Sequence, residues 1–150
     1  MGSDRVAFNH VGQVVTDLAR SRSFYTELLG FEFWREINPP DGTSAQLLGL
    51  APPLGMTACY LRLGGLVLEL LHFAAPEQSV APARRQMNEP GLTHISVSCD
   101  IEGVCGRVGD FGGEVVTSTN IGNAVFVRDP DGQLVELLPL AYAEHVTTLK

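Results

Sequence analysis

Along the chain, stretches dominated by apolar side chains alternate with short segments rich in glycine, proline and polar residues, and the spacing within each stretch predicts an element. Val6 to Val15 is a β-rich run. Thr16-Asp17 supplies a cap signal ahead of Leu18, Phe24, Tyr25, Leu28 and Leu29, which fall on one helical face, and Gly30 ends that helix. Phe31 to Ile37 predicts a further strand, broken by Asn38-Pro39-Pro40-Asp41-Gly42. Gln46 to Leu50 suits a strand, although Pro52-Pro53 cannot continue one inside a sheet. Thr57 to Leu63 and Leu66 to Phe73 then predict a hairpin across Gly64-Gly65. Farther on, the pattern predicts a strand over 92–99, a helix near 101–110, and strands near 114–120, 124–128 and 133–139, the last preceded by the turn Asp129-Pro130-Asp131-Gly132.

These elements repeat. The first half opens on His10-Val11-Gly12 and closes on Gly65-Leu66-Val67-Leu68-Glu69-Leu70-Leu71; the second opens on His94-Ile95-Ser96 and closes on Gly132-Gln133-Leu134-Val135-Glu136-Leu137-Leu138. Each half reads as βαβββ, over about 6–73 and 91–140, within one domain spanning 1–150. The intervening 74–90, with Pro76, Pro82 and Pro90, reads as a linker with room for a short helix.

Within this pattern Glu69 and Glu136 are anomalous, since each interrupts a run of leucines and valines that otherwise predicts a strand with a buried face. An ionised carboxylate in such a setting needs a cation, a basic side chain or a proton. His10 and His94 occupy matching positions at the start of the halves, so the repeat offers one imidazole and one carboxylate from each. That set suits Zn, Ni, Co, Fe or Mn. Taken singly, each Glu is better explained by a solvent-facing place on an edge strand and each His by a hydrogen-bonded structural role; the matched positions reverse that preference and favour a shared metal.

Composition narrows the partners. The chain has 150 residues, with 10 Lys+Arg against 17 Asp+Glu, and its basic residues are scattered apart from Arg84-Arg85, which argues against nucleic acid. No apolar run approaches the ~20 residues of a membrane helix, and the N-terminus lacks a secretory h-region, so a cytoplasmic protein without a membrane partner is expected. Cys59, Cys99 and Cys105 have no paired spacing and read as reduced thiols, none of them a strong nucleophile candidate.

The pattern His10-Val-Gly-x-x-Val-x-Asp17, then Phe24-Tyr25-x-x-Leu28-Leu29-Gly30-Phe31, Gly65-x-x-x-Glu69 and Asp129-Pro130-Asp131-Gly132-x-x-x-Glu136 resembles the vicinal oxygen chelate superfamily over about residues 6–140. That superfamily includes glyoxalase I, methylmalonyl-CoA epimerase, extradiol dioxygenases and metal-free resistance proteins. The resemblance implies an α+β fold in which two paired βαβββ modules form an open, cup-shaped eight-stranded sheet, commonly completed as a homodimer. It also implies His10, Glu69, His94 and Glu136 as ligands of a divalent metal, the glyoxalase-I-like set, whereas epimerases often carry Gln at the position of Glu69 and extradiol dioxygenases use two His and one carboxylate.

The expected activity is that of a metal-dependent isomerase or lyase acting on a small carbonyl compound, thiol adduct or thioester. A proton leaves the carbon beside the carbonyl, and the metal stabilises the enediolate. By resemblance Glu136 is the first choice as base, with Glu69 on the opposite face. The competing expectations are a metal-free small-molecule-binding protein and an Fe(II) extradiol-type dioxygenase. Trp34, Gln46, Tyr60, Arg62 and Phe126 are expected on strands near the cup, His72 on the face opposite Glu69, Asp17 as a helix cap and His145 in a tail.

Overall fold

A computed structural model describes residues 5–81, 83 and 85–143; Pro82, Arg84 and His145 lie outside the described residues. The chain forms two compact units, one comprising residues up to Leu18 together with Phe31–Ser79, the other Ala19–Gly30 together with the chain from Val80 onward. Each contains one four-stranded sheet, so the eight strands of the expected fold are present as two open sheets of four.

In the first unit the strands are β1 (Val11–Val14), β2 (Glu32–Ile37), β3 (Met56–Leu63) and β4 (Leu66–Phe73), in the order β1-β4-β3-β2. β1 runs parallel to β4, and the other neighbours are antiparallel. The hairpin turns at Gly64, whose φ of 56° lies in the left-handed region open to glycine. Cys59 and Leu61 face Leu70 and Leu68 across the β3–β4 pair, and all four are fully buried. Period-two alternation therefore places Tyr60 and Glu69 on the other face.

Two expectations fail here. Residues 5–10 are exposed and outside the ladder, so the strand begins at Val11 rather than Val6; β propensity without a neighbouring strand to pair with does not make a strand. Gln46–Leu50 is not a strand either. Asp41–Leu48 is a helix, α2, which buries Ser44 and Ala45 and ends where Gly49 turns left-handed at φ 66°. The Asp41 carboxylate accepts the backbone N–H groups of Leu54 and Gly55, tying the helix start to the segment after Pro52-Pro53.

The second unit repeats the order, with β5 (His94–Cys99), β6 (Glu114–Val116), β7 (Val125–Arg128) and β8 (Leu134–Pro139) arranged β5-β8-β7-β6. Strand β6 stops at Val116 and a 3-10 turn occupies Thr117–Thr119, where a longer strand is expected from sequence. The predicted helix is α3 (Ile101–Cys105), capped by the Asp100 carboxylate accepting the Gly103 N–H, followed by a 3-10 turn over Val108–Phe111. Val125, Val127, Val135 and Leu137 fill the buried face.

This unit also contains α1 (Leu18–Ser23) from Ala19 on, together with the π-type turn Phe24–Leu28 that continues it, although both precede β2 in sequence. Phe24 and Tyr25 are completely buried, and the Tyr25 hydroxyl donates to Asp129 at 2.8 Å. The Asp129 carboxylate also accepts the N–H groups of Asp131 and Gln133, which closes the Asp-Pro-Asp-Gly turn. Among the described residues no helix is long and apolar enough to cross a membrane.

Candidate functional site

Strand register sets the same row of side chains across each sheet. In the first unit Arg35, Tyr60, Glu69 and Gly12 are successive cross-strand partners; in the second the row is Val116, Phe126, Glu136 and Ser96. Directly opposed residues share a face, so each Glu stands between an aromatic residue and a small one. His94 opens β5 two residues before Ser96 and so lies on its side of the sheet, and His10 stands two residues before Gly12, immediately ahead of β1.

The predicted ligands thus come together as one His–Glu pair per unit. His10 Nε2 is 3.0 Å from Glu69 Oε2, and His94 Nε2 is 3.6 Å from Glu136 Oε2. The preceding side chain engages the other ring nitrogen in both cases: Asn9 Oδ1 lies 2.5 Å from His10 Nδ1, and Thr93 Oγ1 lies 2.8 Å from His94 Nδ1. Nε2 is then the nitrogen turned toward the carboxylate, the arrangement that fixes a metal-binding imidazole. Each ring also meets its row's aromatic residue edge-on, His10 with Tyr60 at 5.7 Å and His94 with Phe126 at 5.1 Å between centroids. Among the described residues no group of three or more His, Cys, Asp or Glu side chains is arranged to hold a metal ion.

The two rows differ in which residue supplies a hydroxyl. Glu69 receives one from Tyr60, whose Oη donates to Oε1 at 2.6 Å, so both carboxylate oxygens are engaged. Burial, together with the adjacent Glu69 carboxylate, pushes the Tyr60 phenol up to about 12, which keeps it protonated and donating at any working pH; nearby Arg35 pulls the other way. Glu136 instead accepts from Ser96 Oγ at 2.7 Å, on the same oxygen that faces His94. Its side chain is 26% exposed, against 12% for Glu69.

The sequence places Tyr60 near the cup but not its bond to Glu69, and it does not single out Ser96; for Tyr60 there is a signal. Counting four residues back from Gly64 and four on from Gly65 pairs Tyr60 with Glu69. Trp34 and Arg62 lie beside this row as expected, but Gln46 sits on α2 rather than on a strand. His72 pairs with Thr57, three residues from Glu69 and so on the opposite face. The helix begins directly after Asp17. The cysteines are free; Cys59 is buried, and burial pushes the Cys99 thiol up to about 11, which leaves little thiolate for nucleophilic work.

Residues 7–137 match the family described as Glyoxalase/Bleomycin resistance protein/Dioxygenase superfamily. The chain belongs to that superfamily. Superfamily members of known structure share the fold. A glyoxalase family protein from Bacillus cereus aligns with a TM-score of 0.75 at 21% identity, covering 93% of this chain and 97% of that one. The trypanothione-dependent glyoxalase I of Leishmania major aligns with a TM-score of 0.64 at 24% identity, covering 92% and 89%. A curated relative, the mitochondrial methylmalonyl-CoA epimerase of Bos taurus, is 26% identical over 92 residues, 61% of this chain and 46% of that protein. The chain thus spans less than half the length of this curated superfamily relative.

Proposed function

We propose that this chain is a metal-dependent isomerase or lyase that moves a proton next to a carbonyl group, with His10, Glu69, His94 and Glu136 as the ligands of one divalent metal and a second copy of the chain as its partner. The observation that carries this reading is the pair of matched rows, in which an imidazole Nε2 faces a carboxylate 3.0 or 3.6 Å away at the same register position of each repeat. Two neighbouring ligands of one metal, each bonded at about 2.1 Å, stand roughly 3.0–3.4 Å apart. The donor set, two imidazoles and two carboxylates, fits Zn, Ni, Co, Mn or Fe(II).

When bound, such a metal polarises the substrate carbonyl and lowers the energy of the negative charge that develops on its oxygen. The chain's own residues divide the remaining work. Glu69, held by the Tyr60 hydroxyl and facing His10, is the fixed carboxylate. Glu136 is the base: its hydrogen bond from Ser96 and its contact with His94 both run through Oε2, and its greater exposure leaves Oε1 to take the proton from the carbon beside the carbonyl and return it to the same or the neighbouring carbon. The Ser96 hydroxyl orients that carboxylate. A small carbonyl compound, a thiol adduct or a thioester meets these requirements.

Calorimetric titration of chelator-treated protein with Zn(II), Ni(II), Co(II) and Mn(II) tests the ligand assignment. The expected result is one ion per chain, with His10→Ala and His94→Ala each abolishing that same site. Two independent ions per chain, or binding unaffected by either variant, refutes it. Deuterium uptake from solvent into hemithioacetal and thioester panels, without oxygen consumption, is the expected signature of the reaction. Ligand capture without metal would instead favour a binding protein.

A further inference from the structure

Next to the row containing Glu69, the first unit holds a cluster that the proposed proton transfer does not use. Arg62 sits over the Trp34 ring, its guanidinium carbon 3.7 Å from the centroid, and Arg35 lies 4.4 Å from the same ring and 4.7 Å from that of Tyr60. Trp34 in turn meets Tyr60 edge-on at 5.9 Å. A break in register between Phe33 and Arg35 gives β2 an extra residue, so that Arg35 as well as Trp34 lies on the Glu69 face.

Two guanidinium groups held against one indole repel each other, in a chain whose formal charge is -7. Among the described residues no ion pair joins either of them to a carboxylate, although Glu32 stands opposite Arg62 in the β2–β3 register. Stacking occupies the flat face of a guanidinium, while its N–H donors lie in the plane and remain available. Both arginines and Trp34 are exposed. The cluster thus presents two neighbouring guanidinium groups, braced on one indole, to solvent.

We propose that Arg35 and Arg62, carried on Trp34, bind a carboxylate or phosphate group of the substrate, so that the carbonyl compound turned over at Glu69 and Glu136 is itself an acid. The selection of an acidic substrate rests on the proton-transfer reading; the oxyanion site does not. Arg35 is two strand spacings from Glu69, about 10 Å along the sheet at the backbone. The acidic group therefore lies several bonds away from the reacting carbon.

Trp34 is the only tryptophan of the chain, so its emission reports on this site alone. Chelator-treated protein is titrated separately with inorganic phosphate and with malonate at constant ionic strength, with chloride as control. The expected result is a saturable emission change with at least one of the two oxyanions and none with chloride; the stronger arm tells phosphate from carboxylate. Arg35→Gln and Arg62→Gln should each weaken binding at least fivefold, while His94→Ala leaves it intact. Absence of a saturable change with both anions, or unchanged affinity in both arginine variants, overturns the proposal. Should an arginine variant fail to fold, the wild-type titration against chloride decides alone. Because no metal and no turnover enter the measurement, its failure is separable from failure of the metal assignment, which the calorimetric titration reads independently.

Discussion

Tyr60→Phe removes one hydroxyl and changes little else, since the ring volume is kept and no cavity opens. The bond lost is short, 2.6 Å, and runs to a carboxylate; Tyr60 is 8% and Glu69 9% exposed, so water does not readily replace it. A hydrogen bond to a charged acceptor contributes about 1.5–3 kcal/mol, against about 1 kcal/mol for a neutral pair. In a chain of this size each kcal/mol shifts the melting temperature by about 2–4 °C, so a drop of about 3–12 °C is expected in chelator-treated protein. Glu69→Gln keeps an amide oxygen as acceptor but removes its charge. In that background Tyr60→Phe should cost only about 1 kcal/mol, and urea unfolding of the four proteins of the cycle measures the difference. A loss below about 0.5 kcal/mol in the native background, or an equal loss in both, refutes the claim that a charged, buried carboxylate is held by this hydroxyl.

Two further outcomes follow from the second unit. Burial raises the Asp129 carboxyl above its usual value, with the Asp131 carboxylate adding to the rise and bonds from Tyr25, Gln133 and Asp131 opposing it. The folded state then binds this proton more tightly than the unfolded chain does, so the group's contribution is complete below its unfolded value of about 3.9 and is lost as pH rises through the folded one. Urea unfolding between pH 3 and 7 should accordingly show wild type losing more stability than Asp129→Asn on going from acid to neutral pH; a parallel pair of profiles contradicts this. At Gly113 an added Cβ would meet the Arg128 carbonyl oxygen, with Phe24 Cε2 at 2.8 Å and Val108 Cγ1 at 2.9 Å. Since backbone cannot yield as a side-chain tip does, Gly113→Ala is expected to destabilise by about 1–3 kcal/mol, read as a lowered melting temperature.

Much of this architecture is legible in the sequence because the repeat carries it. Gly64-Gly65 marks the hairpin, and the two Glu residues stand out against leucine and valine. Elements whose partners are remote are less legible. Val6 to His10 has the composition of a strand and no strand beside it, while Gln46 to Leu50 loses its strand tendency to the start at Asp41 and the stop at Gly49. The extra residue at Trp34 leaves no mark in the alternation, so the grouping of Trp34, Arg35 and Arg62 emerges only with the β2–β3 register. The His–Glu pairs, by contrast, are legible one unit at a time, because each arises from a parallel neighbour fixed by its own βαβββ repeat.

The placement of residues 19–30 separates ancestry from architecture. The segment is encoded within the first copy of the duplication, yet Phe24 and Tyr25 complete the interior of the unit built from the second, and Tyr25 secures its Asp-Pro-Asp-Gly turn. A gene cut at the linker would leave the downstream fragment without two of its largest interior side chains and the upstream fragment carrying them with nothing to cover them. The downstream fragment therefore inherits an unfinished interior: the second repeat depends on side chains encoded in the first.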